Sequence, residues 1–191
     1  TSLNTAAVAA LLLVLAACSP GAETTPTAPA EAALPASPDV HPFKIGALDA
    51  FSLRDGSLSV PNDNTVLAVG ETTEDTAALL TAAGLATDTL SLGIQPLLVR
   101  NGERIILFDT GAAGQMGTDG KLTASLAAAG FQPAQVTDIV ISHGHGDHVG
   151  GLVTGEGTLA FPNATIRMAA NEWSALQAQD EMAPLITAIT P

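Results

Sequence analysis

Three histidines and an aspartate lie within six consecutive residues of the chain. The stretch reads His143-Gly144-His145-Gly146-Asp147-His148. Imidazole nitrogens bind zinc, iron and related metals, and a carboxylate adds a harder oxygen ligand. The chain has only four histidines, and the fourth, His41, lies in a proline-rich segment where no site is expected. The sequence therefore predicts a metal centre at this stretch.

The elements around this stretch would position the ligands. An apolar run over 136–142 reads as a buried strand, and the histidines follow directly. Residues two apart in an extended segment point to the same side, so His143 and His145 can converge on one ion. The two intervening glycines can take positive φ and let the backbone bend, which would turn Asp147 and His148 towards a second ion.

Composition excludes several other classes of protein. The 191 residues carry 6 Lys and Arg against 19 Asp and Glu, a net charge of −13. Nucleic-acid binding needs a basic face that displaces counterions from phosphates, so we expect no nucleic-acid partner. The single cysteine excludes an internal disulfide framework and a cysteine-rich zinc module. The length suits one domain with appendages.

The first residues read as an export signal. The apolar run over 6–17 is shorter than the roughly 20 residues of a membrane-spanning helix and is typical of a secretory signal. Leu15-Ala16-Ala17-Cys18 resembles the lipobox of bacterial lipoproteins, whose cysteine is lipidated. The sequence thus predicts a signal peptide over 1–17. It also predicts an exported protein, anchored to a bacterial membrane through a lipid at Cys18, on the periplasmic or outer-membrane side.

A change of composition separates a linker from a globular domain. Residues 18–42 are rich in Pro, Ala and Thr and should form a flexible spacer, and the domain is expected over 43–191. Within it, Asp55-Gly56 and Asn101-Gly102 each predict a hairpin. The apolar runs beside the second turn predict strands that are buried on both faces.

Helices and strands alternate in the rest of the domain. Helices are expected over 71–85, with Thr72 or Thr73 as N-cap, over 122–129, and from an Asn171 cap to 179. A further strand is expected over 164–168. This order predicts a layered α/β or α+β fold.

These residues resemble the metallo-β-lactamase superfamily. Its signature is His-x-His-x-Asp-His after a buried strand, which residues 143–148 match. Phe108-Asp109-Thr110-Gly111 also matches a motif of that family, in which the Asp lies behind the metal ligands. The resemblance covers about residues 45–191. The stretches 106–114, 129–133 and 159–164 resemble the branch of methyl parathion hydrolase and the quorum-quenching lactonases.

The resemblance implies an αββα sandwich of two similar halves with two divalent metal ions, expected to be zinc, with iron or manganese as alternatives. His143 and His145 would hold the first ion, Asp147 and His148 the second, and Asp109 would support them. A metal-bound hydroxide would attack a small-molecule lactone, ester or phosphotriester, and Asp147 would carry a proton to the leaving oxygen.

The family completes its site with a further His, a bridging Asp and a last His. No histidine follows His148 in this sequence. We therefore expect the sequence to be the N-terminal half of a longer hydrolase, and expect this half alone to be inactive.

Other interpretations remain open at this point. An iron-dependent oxidoreductase of the persulfide dioxygenase type shares the fold, and a non-catalytic metal-binding lipoprotein could keep it for binding. A phosphate-binding role of the glycine-rich 109–114 is not expected, because no Gly-Lys-Ser/Thr follows. Ser142 has no triad context and is not expected to be a nucleophile. Met168 and Trp173 are expected to pack in the core, although Trp173 could line a substrate pocket.

Overall fold

The computed structural model describes residues 37–190. The predicted signal peptide, Cys18 and most of the predicted linker lie outside the described residues, so the lipid anchor stays a prediction. No helix within 37–190 is long and apolar enough to cross a membrane. The first strand begins at Val40, so the folded part starts before residue 43 and includes Pro42. Proline is tolerated there because this strand forms the edge of its sheet.

Eight strands of the described chain form two sheets. Their bounds are β1 (Val40–Ile45), β2 (Leu48–Leu53), β3 (Gly56–Pro61), β4 (Thr89–Ile94), β5 (Leu97–Asn101), β6 (Arg104–Phe108), β7 (Asp138–Ile141) and β8 (Thr165–Met168). The larger sheet has the order β1-β2-β5-β6-β7-β8, antiparallel up to β6 and parallel from β6 to β8. The smaller sheet pairs β3 with β4.

Five α-helices accompany the strands between residues 37 and 190. They are α1 (Thr73–Ala82), α2 (Leu122–Ala128), α3 (Gly146–Val149), α4 (Ala170–Gln177) and α5 (Ala183–Ile189). The predicted mixed α/β fold is confirmed. Thr72 caps α1, as predicted, by accepting a hydrogen bond from the Asp75 backbone N–H at 3.1 Å. The predicted cap at Asn171 is wrong, because the extended Ala169 takes the N-cap position and α4 starts one residue before Asn171.

One of the two predicted hairpins is confirmed and the other is wrong. β5 and β6 pair in register around Asn101-Gly102. β2 ends at Leu53 and β3 begins at Gly56, and the two strands belong to different sheets. Asp55 is fully buried, and its carboxylate accepts hydrogen bonds from the backbone N–H groups of Ala112 at 2.9 Å and Leu122 at 3.2 Å. The chain therefore crosses between sheets here instead of turning back.

The core contains residues of the larger sheet together with residues of the helices. Along β5 the consecutive residues Leu98 and Val99 are both buried, as predicted for a strand buried on both faces. Along β6 burial alternates, since Ile105 and Leu107 are buried whereas Phe108 is 37% exposed. The prediction is therefore wrong for β6, whose second face is not fully covered by residues 37–190.

A buried carboxylate ties the three parallel strands together. Asp138 opens β7, and its side chain is only 7% exposed. Its oxygens accept hydrogen bonds from Arg104 of β6 and Arg167 of β8, both at 3.0 Å, and from the Thr137 hydroxyl at 2.8 Å. The Thr137 hydrogen bond and the two guanidinium groups hold the pKa of the Asp138 carboxyl below its usual range.

Replacing Asp138 with asparagine should make stability less dependent on pH. Because the folded pKa lies below the unfolded value of about 3.9, the unfolded chain binds more protons as pH falls through this region. The carboxylate therefore stabilises the native chain above about pH 4 and loses this effect in more acidic solution. Urea denaturation should show Asp138→Asn less stable than the parent at pH 7, with the difference shrinking below pH 4. The exposed-site variant Asp88→Asn serves as control, and a pH-independent difference would contradict the prediction.

Candidate metal centre

The loop after β7 carries the predicted ligands at the end of a parallel strand. β7 ends at Ile141, His145 is the extended N-cap residue of α3, and Asp147 and His148 lie within that short helix. Neither glycine of the stretch has a positive φ, so that part of the prediction is wrong. Gly144 instead packs closely against α4, since a Cβ there would lie 3.3 Å from the Leu176 side chain.

The four predicted ligands form two pairs of donor atoms. His143 Nε2 lies 3.1 Å from His145 Nδ1, and Asp147 Oδ2 lies 3.3 Å from His148 Nε2. The ring centroids of His143 and His148 are 3.9 Å apart, so the two pairs are neighbours. These are the same two pairs that the family resemblance implies for the first and the second ion.

The donor chemistry and spacing of each pair fit zinc. Zinc takes nitrogen and oxygen ligands at about 2.0–2.2 Å in a tetrahedral arrangement, which puts two ligand atoms of one ion about 3.3 Å apart. Each pair would therefore supply two of the four ligands of an ion. Within residues 37–190, no three His, Cys, Asp or Glu side chains are arranged around one common point for an ion. Ligation by these four residues remains a prediction.

Asp109 lies directly behind the cluster, as the resemblance implies. It follows the end of β6, and its carboxylate contacts His148 Nδ1 at 2.8 Å, the Ser142 backbone N–H at 2.7 Å and the Ser142 hydroxyl at 2.8 Å. Its backbone has φ of +60°, a left-handed conformation that Asp tolerates better than most residues. Strained backbone of this kind concentrates at functional sites.

Three further residues hold the ligand loop, and sequence reasoning missed these roles. Thr110, fully buried, donates hydrogen bonds from its N–H at 2.8 Å and its hydroxyl at 2.9 Å to the His148 carbonyl. Glu172 of α4 accepts a hydrogen bond from the Gly144 N–H at 3.2 Å. Ser142 contacts His143 Nδ1 at 3.0 Å in addition to Asp109. The one feature of the sequence that could indicate such a supporting role is a polar residue next to a predicted ligand motif. Ser142 and Thr110 have this feature, and Glu172 does not.

A cavity of about 490 Å³ opens beside the second donor pair. Its lining residues are Gly93, Ile94, Gln95, Pro96, Asp109, Asp147 and His148. A small molecule could enter it and reach the Asp147 carboxylate. Trp173 lines a different, apolar groove of about 320 Å³ with Met168 and also packs against the core.

Comparison with known proteins agrees with the motif and the fold. Residues 92–184 match the family model of the metallo-beta-lactamase superfamily. The dizinc quorum-quenching lactonase AidC, solved with the product N-hexnoyl-L-homoserine, is 32% identical with a TM-score of 0.68. The match covers 74% of this chain and 48% of that one. Comparison with curated proteins finds no match.

Two other solved structures have the same fold. AbOPH, a hydrolase in the beta lactamase superfamily, is 25% identical with a TM-score of 0.68, covering 79% of this chain and 56% of that one. A probable metal-dependent hydrolase from Staphylococcus aureus is 20% identical with a TM-score of 0.59, covering 73% and 53%. The chain thus spans about half the length of these relatives. Over residues 92–184 it is similar to the metallo-beta-lactamase superfamily, and its structure resembles a lactonase and a hydrolase of that superfamily.

Proposed function

We propose that this chain contributes a two-zinc centre to a hydrolase of small-molecule lactones, esters or phosphotriesters. The proposal rests on two neighbouring pairs of donor atoms. His143 Nε2 lies 3.1 Å from His145 Nδ1, and Asp147 Oδ2 lies 3.3 Å from His148 Nε2. The second pair borders a cavity of small-molecule size. The similarity to a dizinc lactonase favours zinc and a lactone substrate.

Each residue of the centre would have a definite task. His143 and His145 would bind one ion, and Asp147 and His148 the other. When bound, two zinc ions supply a nucleophile from water at neutral pH and stabilise developing negative charge. Asp109 would hold His148 in place through its contact with Nδ1.

Asp147 is the residue proposed to move a proton. Its carboxylate lines the cavity, and its side chain is 25% exposed. An ionised carboxylate can accept the proton that the attacking water loses, and can then return it to the oxygen that leaves the carbonyl carbon or phosphorus. Proton transfer of this kind keeps the leaving group from departing as an unstable anion.

Metal analysis combined with a hydrolysis assay tests the proposal. We expect the hydrolase to which this chain would contribute, loaded with zinc, to hold two zinc ions and to release acid from N-hexanoyl-homoserine lactone or from an aryl phosphotriester. A chelator should abolish turnover, and added zinc should restore it. One bound iron would contradict the proposal and point to an oxidoreductase. Bound zinc without turnover of any lactone, ester or phosphotriester would contradict it in favour of a binding protein.

A further inference from the structure

We propose that Ser142 is a positioning residue that fixes the tautomer of His143 and, together with Asp109, that of His148. Both imidazoles then present an unprotonated Nε2 on the side where the donor pairs meet. This inference rests on the proposed metal centre for its purpose, but the tautomers themselves can be observed without metal. It gives a positioning role to a serine that is not expected to be a nucleophile.

The Ser142 hydroxyl touches both sides of the centre. Its oxygen lies 2.8 Å from Asp109 Oδ2, 3.0 Å from His143 Nδ1 and 3.3 Å from His148 Nδ1. The Ser142 backbone N–H also donates to Asp109 Oδ1 at 2.7 Å. Both oxygens of one carboxylate therefore hold Ser142, and its side chain is kept in the orientation that faces His143.

Proton counting then sets the tautomer of His143. A hydroxyl has one proton to donate and lone pairs to accept with, whereas an ionised carboxylate can only accept. The Ser142 proton therefore belongs to the bond with Asp109, which leaves a lone pair facing His143 Nδ1. That nitrogen must carry a proton to make the 3.0 Å contact favourable, and a neutral ring protonated at Nδ1 has its lone pair at Nε2.

The same carboxylate sets the tautomer of His148. Asp109 Oδ2 lies 2.8 Å from His148 Nδ1, so this nitrogen donates, and in the neutral ring Nε2 then keeps its lone pair. That lone pair faces Asp147 Oδ2 at 3.3 Å, and two acceptors at this distance repel each other. A cation between them would turn the repulsion into ligation. Outer hydrogen bonds that fix the orientation and tautomer of a ligating histidine are a general feature of metal sites.

Nitrogen NMR and zinc titration of the full chain test this role. In the metal-free parent, ¹⁵N shifts should show His143 and His148 protonated at Nδ1. In Ser142→Ala, His143 should gain the Nε2–H tautomer while His148, still held by Asp109, should not change. The dissociation constant for zinc should rise roughly 10- to 100-fold, the range found when residues behind metal ligands are replaced.

Two further variants separate this role from a general loss of structure. Ser142→Thr keeps the hydroxyl and should restore the parent tautomer and affinity, and Ser59→Ala, on the exposed side of β3, should change neither. An unchanged His143 tautomer in Ser142→Ala would overturn the inference, as would an unchanged zinc affinity. If the parent binds no zinc while the tautomer shift is still seen, the metal centre fails and the tautomer role of Ser142 stands.

Discussion

Replacing Gly151 with alanine is expected to destabilise the native chain by about 3 kcal/mol, the upper end of the usual cost of overpacking. Gly151 is buried, and a Cβ there would overlap the carbonyl oxygen of Thr110 and lie 3.0 Å from its carbonyl carbon. Both atoms belong to the backbone, so no side chain can rotate away to make room. The Gly151 N–H also donates to the Gly111 carbonyl at 3.1 Å, which fixes the two segments at this separation.

The displacement would reach the candidate metal centre. Thr110 donates two hydrogen bonds to the His148 carbonyl, so moving Thr110 away from Gly151 weakens the attachment of α3 to the end of β6. Urea denaturation measures the loss of stability, and zinc titration of the folded fraction measures the effect on the ligands.

Gly155 provides a matched control within the same part of the chain. It is exposed, and a Cβ there would have no atom within 4 Å. Gly155→Ala should therefore keep the parent midpoint in urea. Equal midpoints for Gly151→Ala and the parent would show that the close approach of the two segments is not required.

Local chemistry explains which parts of the fold could be predicted. The β5–β6 hairpin forms around Asn101-Gly102, and a turn of this kind depends only on residues that are adjacent in sequence. Asp55-Gly56 has the same turn-forming composition, but there the chain passes from one sheet to the other. The carboxylate of Asp55 finds its partners 57 and 67 residues further along the chain, and a turn rule cannot include them.

The candidate site divides in the same way. The four predicted ligands and Asp109 were identified because they fall into two compact motifs, and the structure brings both motifs together. Glu172 could not be identified, because its bond to the Gly144 N–H depends on how α4 packs beside the ligand loop. The close packing at Gly144 has the same origin, since a Cβ there would lie 3.3 Å from the Leu176 side chain of α4.

Replacing His145 with alanine should remove metal binding at the first pair while leaving the fold intact. His145 is exposed, and the contact that the structure gives its ring is with His143, at 3.1 Å between nitrogens and 4.7 Å between centroids. Loss of an exposed side chain of this kind changes stability by about 0.5 kcal/mol or less. Replacing a residue behind a ligand costs roughly 10- to 100-fold in affinity or activity, so loss of the proposed ligand itself should cost more than about 100-fold.

His41 is the matched control, because it is the remaining histidine of the chain and lies on β1, stacked on Phe43 at 6.0 Å. In the hydrolase to which this chain would contribute, His41→Ala should keep both zinc ions and full turnover of lactone or aryl phosphotriester. His145→Ala should melt at the parent temperature, lose zinc from the first pair and lose turnover. Parent-level hydrolysis by His145→Ala would contradict a catalytic zinc centre at this loop. If His145→Ala kept both zinc ions as well as this hydrolysis, residues other than His145 would be the ligands of the first ion.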